Sequence, residues 1–206
     1  MQVRLDKRAR IIADGGQAYP VDLLRDHTLV QVRQKYTDDT GELTLAPGEE
    51  TTDEVTVGGR VVFVRNTGKL CFASLQDGFT ETSNGERLQI MLSKAEVGDE
   101  SLAAWKSDVD LGDHVWVRGR VVVSRRGELS IMAAEWRMAS KALRPLPTLH
   151  KELSEESRVR RRYADLVVRE ESRQMVRTRA VITRAVRRAL DERGFLEIET
   201  PILQLV

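Results

Sequence analysis

Apolar and polar residues alternate with a period of two through much of residues 55–136 and recur every four residues after 170, so a β-rich region precedes a helical one. Five strand-like runs fall at 55–65, 69–76, 86–92, 113–123 and 127–136. Asn66-Thr67-Gly68 after the first run and Arg126-Gly127 between the last two are turn signals, and "HVWVRGRVVV" shows the alternation most plainly. Between the third and fourth runs, Ala95, Leu102, Ala104 and Trp105 predict a helix ahead of Leu111-Gly112. Residues 2–13 have helical spacing and stop at Gly15-Gly16, while 37–54 reads as an acidic surface loop with one weak strand.

Three strands, a helix and two strands over about 80–90 residues is the element order of the OB-fold, a Greek-key barrel that binds oligonucleotides. The expected fold class is mostly β with α (α+β), a five-stranded barrel behind an N-terminal helix. Pro145 and Pro147 forbid regular helix, so 140–156 reads as a linker. Beyond it, Val181 or Ile182, Ala185 or Val186, and Ala189 or Leu190 predict a long amphipathic helix over 170–193, ended by Gly194. In "FLEIETPILQLV", Leu196, Ile198 and Thr200 share one face of an expected strand, Glu197 and Glu199 share the other, and Pro201 ends the ladder. A helix and one strand cannot bury each other's apolar faces, and Ile202, Leu203, Leu205 and Val206 add to the excess. Residues 157–206 are therefore expected to be the front of a larger unit or to lean on a second subunit.

Composition narrows the function classes. The chain has 206 residues, 41% hydrophobic and 32% charged, and no apolar run approaches the roughly 18–20 residues of a bilayer span. The first residues lack the apolar core of a signal peptide, and the one cysteine, Cys71, cannot pair internally; both lead to the expectation of a cytoplasmic protein without a membrane partner. The net charge of +1 hides an acidic stretch at 36–56 and twelve Arg against five acids at 158–193, so a polyanionic partner stays open. His27, His114 and His150 sit in unrelated segments without ligand-spaced neighbours, "DGGQ" lacks the strand and lysine of a phosphate loop, and Cys71 reads as a packing residue. Neither a catalytic residue nor a metal ligand is expected.

Single-stranded RNA is held by aromatic rings that stack on bases, with Arg and Lys on phosphates and amides on base edges. Arg65, Lys69, Phe72 and Gln89 fall on the first three strands and can share one barrel face. Phe72, alternating with Leu70 and Ser74, also fits a core position, and Lys69 and Gln89 also fit plain surface positions. Glu128 and Glu135 suit either hydrogen bonding to a base or keeping an edge soluble.

In order along the chain, "GRVVFVRNTGKLCFASLQDG", "RLQIML", "DLGDHVWVRGRVVVSRRGELSI", "KALRPLP", "RRYADLVVREESR" and "RGFLEIETPILQ" resemble the N-terminal half of bacterial class II lysyl-tRNA synthetases. "RLDKRARIIADGGQAYP" is similar to that family's N-terminal helix and Tyr-Pro pair, and only the acidic loop is uncharacteristic. The resemblance implies an N-terminal helix and loop over 1–54, an anticodon-binding OB domain over 55–139, the linker at 140–156, and at 157–206 the start of a class II catalytic domain with its motif 1 helix and strand. It implies that Phe72 stacks on the lysine anticodon of tRNA, that Arg65 and Gln89 clamp or read its bases, and that Glu135 assists; Lys69 joins this expected anticodon-binding set from its place beside them in the sequence. It further implies a homodimer interface at Val181, Ile182, Phe195 and Pro201. The family uses ATP and Mg2+, but its motifs 2 and 3 have no counterpart here. No cofactor is therefore expected in this chain, which should bind RNA without charging it. An aspartyl- or asparaginyl-type synthetase shares this plan; a stand-alone OB-fold module for single-stranded nucleic acid and a dimerisation element are the readings from other classes.

Overall fold

In the computed structural model, which describes residues 1–78, 85–147 and 153–201, the alternating segments close on one another. Strands β1 (Glu50–Thr67), β2 (Leu70–Gln76), β3 (Arg87–Ser93), β4 (His114–Val123) and β5 (Leu129–Ser140) form a closed barrel in the order β1-β2-β3-β5-β4. Neighbours run antiparallel except β3 and β5, which pair in parallel through Gln89, Ile90 and Met91. Alternate residues such as Val55, Val57, Leu88, Ile90, Val117 and Ile131 point inward and are almost fully buried. The OB-type element order expected from the sequence is the one observed.

Helices fill the gaps that strands leave. After the short α3 (Lys94–Val97), α4 (Asp99–Asp108) buries Leu102 and Trp105, and the Trp105 ring meets Trp136 edge-on at 5.1 Å. A helix that the sequence pattern did not disclose, α2 (Leu29–Lys35), inserts Leu29 and Val32 into the core. Its start is fixed by a capping box, with Thr28 Oγ1 accepting from the Gln31 amide and Gln31 Oε1 from the Thr28 amide. The N-terminal α1 (Gln2–Ala13) forms as expected and is tied down by charge: Arg4 donates to the Leu111 and Ala142 carbonyls, Lys7 to Asp110 at 2.7 Å, and Arg10 to Asp108.

Two boundaries differ from the expectation. β1 starts at Glu50 inside the acidic stretch, because Glu50 pairs with Val122 and Thr51 Oγ1 donates to the Val121 carbonyl. β5 runs to Ser140, four residues further than the alternation indicated, and the next residue is an anchor rather than linker. The Lys141 side chain is fully buried, and its Nζ donates to the Asp108 carbonyl, Asp110 Oδ2 and Asp113 Oδ2, each at 2.6 Å.

Residues 152–206 form a second compact unit. Two short helices in the expected linker and after it, α5 (Glu155–Arg160) and α6 (Arg162–Val168), precede α7 (Glu170–Asp191). Asp165 of "RRYADL" is fully buried and accepts from Ser172 Oγ at 2.6 Å and Arg162 at 2.7 Å, while Arg173 donates to the Leu166 and Val167 carbonyls. The chain leaves α7 through Gly194 at φ 82°, as the sequence suggested. The expected strand at 195–201 does not form: no ladder partner lies among the described residues, and Leu196 and Ile198 are exposed. Ile202, Leu203, Leu205 and Val206, like His150, lie outside the described residues.

His114, where β4 opens, pairs with Arg60 in the sheet, and burial followed by that cation lowers its pKa to about 4. The unfolded imidazole titrates near 6.5, so between those values only the unfolded state takes the proton. This stabilisation is fully present above about pH 6.5 and is lost as pH falls toward 4. Urea curves at pH 7 and pH 5 should show His114→Gln losing about 1–2 kcal/mol less stability than the unsubstituted protein on acidification. Equal losses would remove His114 from the acid response.

Candidate nucleic-acid interface

One extra residue in β1 decides which side chains face out. Across β1 and β2 the register steps from Val61↔Leu75 to Phe63↔Ser74, so Val62 is a bulge, and Val61 and Val62 are both buried. Every later residue of β1 is thereby turned over: Phe63 and Arg65 point outward, whereas unbroken alternation from Val55, Val57 and Val61 would send them into the core.

The outer face then carries two rows that cross four strands. Phe63 lies beside Ser74, Ser74 beside Gln89, and Gln89 beside Ser130; one step along, Arg65 lies beside Phe72, Phe72 beside Met91, and Met91 beside Met132. The Arg65 guanidinium sits 4.9 Å from the centre of the Phe72 ring. Gln89 Nε2 donates to Ser130 Oγ at 2.8 Å and Ser130 Oγ to the Glu128 carbonyl at 2.9 Å, which fixes the amide and leaves Gln89 Oε1 as an acceptor toward solvent. These rows floor a groove of about 860 Å3, walled on one side by the β4–β5 loop with Arg125, Arg126 and Glu128.

Charge marks the groove as a place for an anion. Arg118 and Arg120 elsewhere on the barrel are paired with Glu54, Glu135, Glu50 and Glu96, and Arg33 with Glu86 at 2.6 Å and, more loosely, with Glu128 at 3.8 Å. Arg65, Arg87, Arg125 and Arg126 line the groove with no carboxylate within ion-pair distance among the described residues. Cationic side chains converging on the exposed ring of Phe63 and the half-buried ring of Phe72, with amide and carboxylate acceptors between them, match the needs of unpaired bases on a phosphate chain.

Of the expected site residues, the structure brings Arg65, Phe72 and Gln89 into this groove. Lys69 lies in the exposed β2 hairpin turn rather than on a strand and is not part of the lining. Glu135 is also outside it: on β5 it accepts from Arg118 at 3.0 Å and Arg137 at 2.8 Å. Glu128, the other acid considered for that role, stands on the groove wall. Phe63, Arg87, Arg125 and Arg126 escaped the sequence reading. Phe63 is hidden by the bulge, and the two adjacent arginines were legible only as a turn. Val181, Ile182, Phe195 and Pro201 are all exposed within the second unit. Among the described residues no three His, Cys, Asp or Glu converge to hold a metal ion. No described helix is long and apolar enough to cross a membrane.

Residues 55–139 match the family described as OB-fold nucleic acid binding domain, and residues 154–206 match tRNA synthetases class II (D, K and N). The chain thus joins a nucleic-acid-binding barrel to a class II aminoacyl-tRNA synthetase segment. It is 59% identical to the lysine–tRNA ligase of Kineococcus radiotolerans over 204 residues, 99% of this chain, and 56% identical to that of Mycolicibacterium gilvum over 203 residues, 98% of this chain. The lysylphosphatidylglycerol biosynthesis bifunctional protein LysX of Rhodococcus jostii is 39% identical over 207 residues, which make up 17% of that protein. Within class II, the chain belongs to the lysine–tRNA ligase family and corresponds to the N-terminal part of its members. It spans 39% and 38% of the two ligases named.

Proposed function

We propose that the groove reads the unpaired anticodon bases of a lysine tRNA, as the recognition part of an enzyme that joins lysine to that tRNA with ATP and Mg2+ in the cytoplasm. The observation that carries this reading is the Arg65–Phe72 stack set among arginines with no carboxylate within ion-pair distance among the described residues. A guanidinium plane over an aromatic ring is a surface on which a base stacks, and a uracil edge, one N–H donor between two carbonyl acceptors, suits Gln89 Oε1 flanked by arginine donors. Glu128 supplies a second acceptor in place of Glu135. The same reading assigns Val181, Ile182, Phe195 and Pro201 to a homodimer interface in the full-length enzyme, since α7 leaves Val181 60% and Ile182 57% exposed; sedimentation of that enzyme tests this part.

Fluorescence-anisotropy titration of a lysine-anticodon stem-loop against one with a scrambled anticodon, at fixed salt, tests the recognition. The lysine loop should bind more tightly, and Phe72→Ala should weaken it by about 1–3 kcal/mol, the worth of one base stacked on an aromatic ring. Equal affinity for both loops would reduce the barrel to a generic single-strand binder.

A further inference from the structure

We infer that the groove carries a second stacking platform, Phe63, which takes a different base of the same single strand from the one held at Phe72. This rests on the groove being the RNA site. Phe63 is 54% exposed and lines the groove, although an apolar ring gains nothing from facing water there. Its position is a product of the backbone: the bulge at Val62 turns it out of a strand whose earlier odd-numbered residues are core.

The placement of the two rings separates their roles. Phe63 faces Ser74 across β1 and β2 while Phe72 faces Arg65, so the two phenylalanines are diagonal neighbours on one face. Such neighbours stand roughly 7–8 Å apart, about twice the 3.4 Å rise of a helical strand, so bases on both rings are splayed rather than stacked on each other. Arg65 covers Phe72, whereas Phe63 has no cation over its ring among the described residues. Beside Phe63, Ser74 and the fixed amide of Gln89 form a polar row that a base on that ring can reach edge-on. The ligand class is therefore a single strand with at least two unpaired, unstacked nucleotides.

The test uses the 206-residue chain and hairpins whose loop carries the lysine anticodon, intact or abasic at one loop position at a time. Phe63→Ala should weaken the intact loop between about 5-fold and 150-fold, the range for one base stack, and should make one abasic position cost nothing further. Phe72→Ala should do the same for a different position, and Phe63→Tyr should restore binding. If Phe63→Ala changes neither affinity nor any abasic penalty while Phe72→Ala weakens binding, the second platform is refuted and the anticodon reading survives. If both variants cancel the same position, one base is clamped by both rings and the two-base inference is likewise refuted. If neither matters, the groove is not the site and both readings fall. Circular dichroism of each variant excludes misfolding, and Phe63 is exposed enough for its loss to leave the core intact.

Discussion

Lys141→Ala should cost about 3–5 kcal/mol of stability, a large share of a domain margin of roughly 5–15 kcal/mol. The ammonium group is wholly enclosed, and its three hydrogen bonds engage two carboxylates and a helix-end carbonyl. Asp113 is itself fully buried and also accepts from the amides of Asp110 and Ala142. Removing the lysine leaves that carboxylate without its counter-charge in a place water does not reach, and the penalty is the desolvation of the orphaned charge more than the lost attraction. Burial raises the pKa of Asp110, yet donation from Lys141 and then Lys7 outweighs it and holds the carboxyl below its usual value. Urea denaturation followed by tryptophan fluorescence measures the loss. Pairing Lys141→Met with Asp113→Asn should recover part of it, because neither charge is then stranded. A single-variant cost under about 1 kcal/mol would contradict the enclosed ion pair.

Gly119→Ala should be of similar severity, about 3 kcal/mol or more, for a steric reason. A β carbon on Gly119 would overlap the Met132 carbonyl oxygen and lie 2.9 Å from the Ala133 Cα, both backbone atoms that cannot rotate away. The approach arises because the β4–β5 register skips Ala134, passing from Arg118↔Glu135 to Gly119↔Ala133. β5 also pairs with β3 through Ser130 and Met132, so pushing it away disturbs the groove floor under Gln89 and Met91. Any folded fraction should therefore bind RNA weakly. Gly58→Ala is the control: its added carbon meets only the Val115 carbonyl at an ordinary 3.7 Å. Thermal melts in which both variants behave alike would sink the argument.

The barrel was legible because half-buried strands must alternate, and a strand covered on one side has no other way to satisfy its core. The same rule failed wherever a local irregularity intervened. Phe63 reads as core by parity because a bulge leaves no mark in composition. Lys141 sits in "SKALRPLP", where two prolines announce a loop, and no pattern tells a lysine that is enclosed from one that is solvated. Glu135 and Glu128 lie in one strand-and-turn segment, and only the fold shows which acid is held by Arg118 and Arg137 and which stands on the groove wall. Helix α2 is too short for its period to register, and the capping box at Thr28 was its one available sign. The strand expected at 195–201 failed for the opposite reason: its alternation is real, but a ladder requires a neighbour.

The bulge at Val62 also has a consequence for how this stretch tolerates change. Before it, odd-numbered positions of β1 from Val55 to Val61 are constrained by volume; after it, the odd positions Phe63 and Arg65 are constrained by what they present outward. Substitution tolerance along the strand therefore inverts its parity at a single residue. A one-residue deletion at Val62 would restore plain alternation, with Val61 still on the packing face and Phe63 and Arg65 still on the binding face, so the bulge is the single point at which the strand can lose a residue without exchanging its faces.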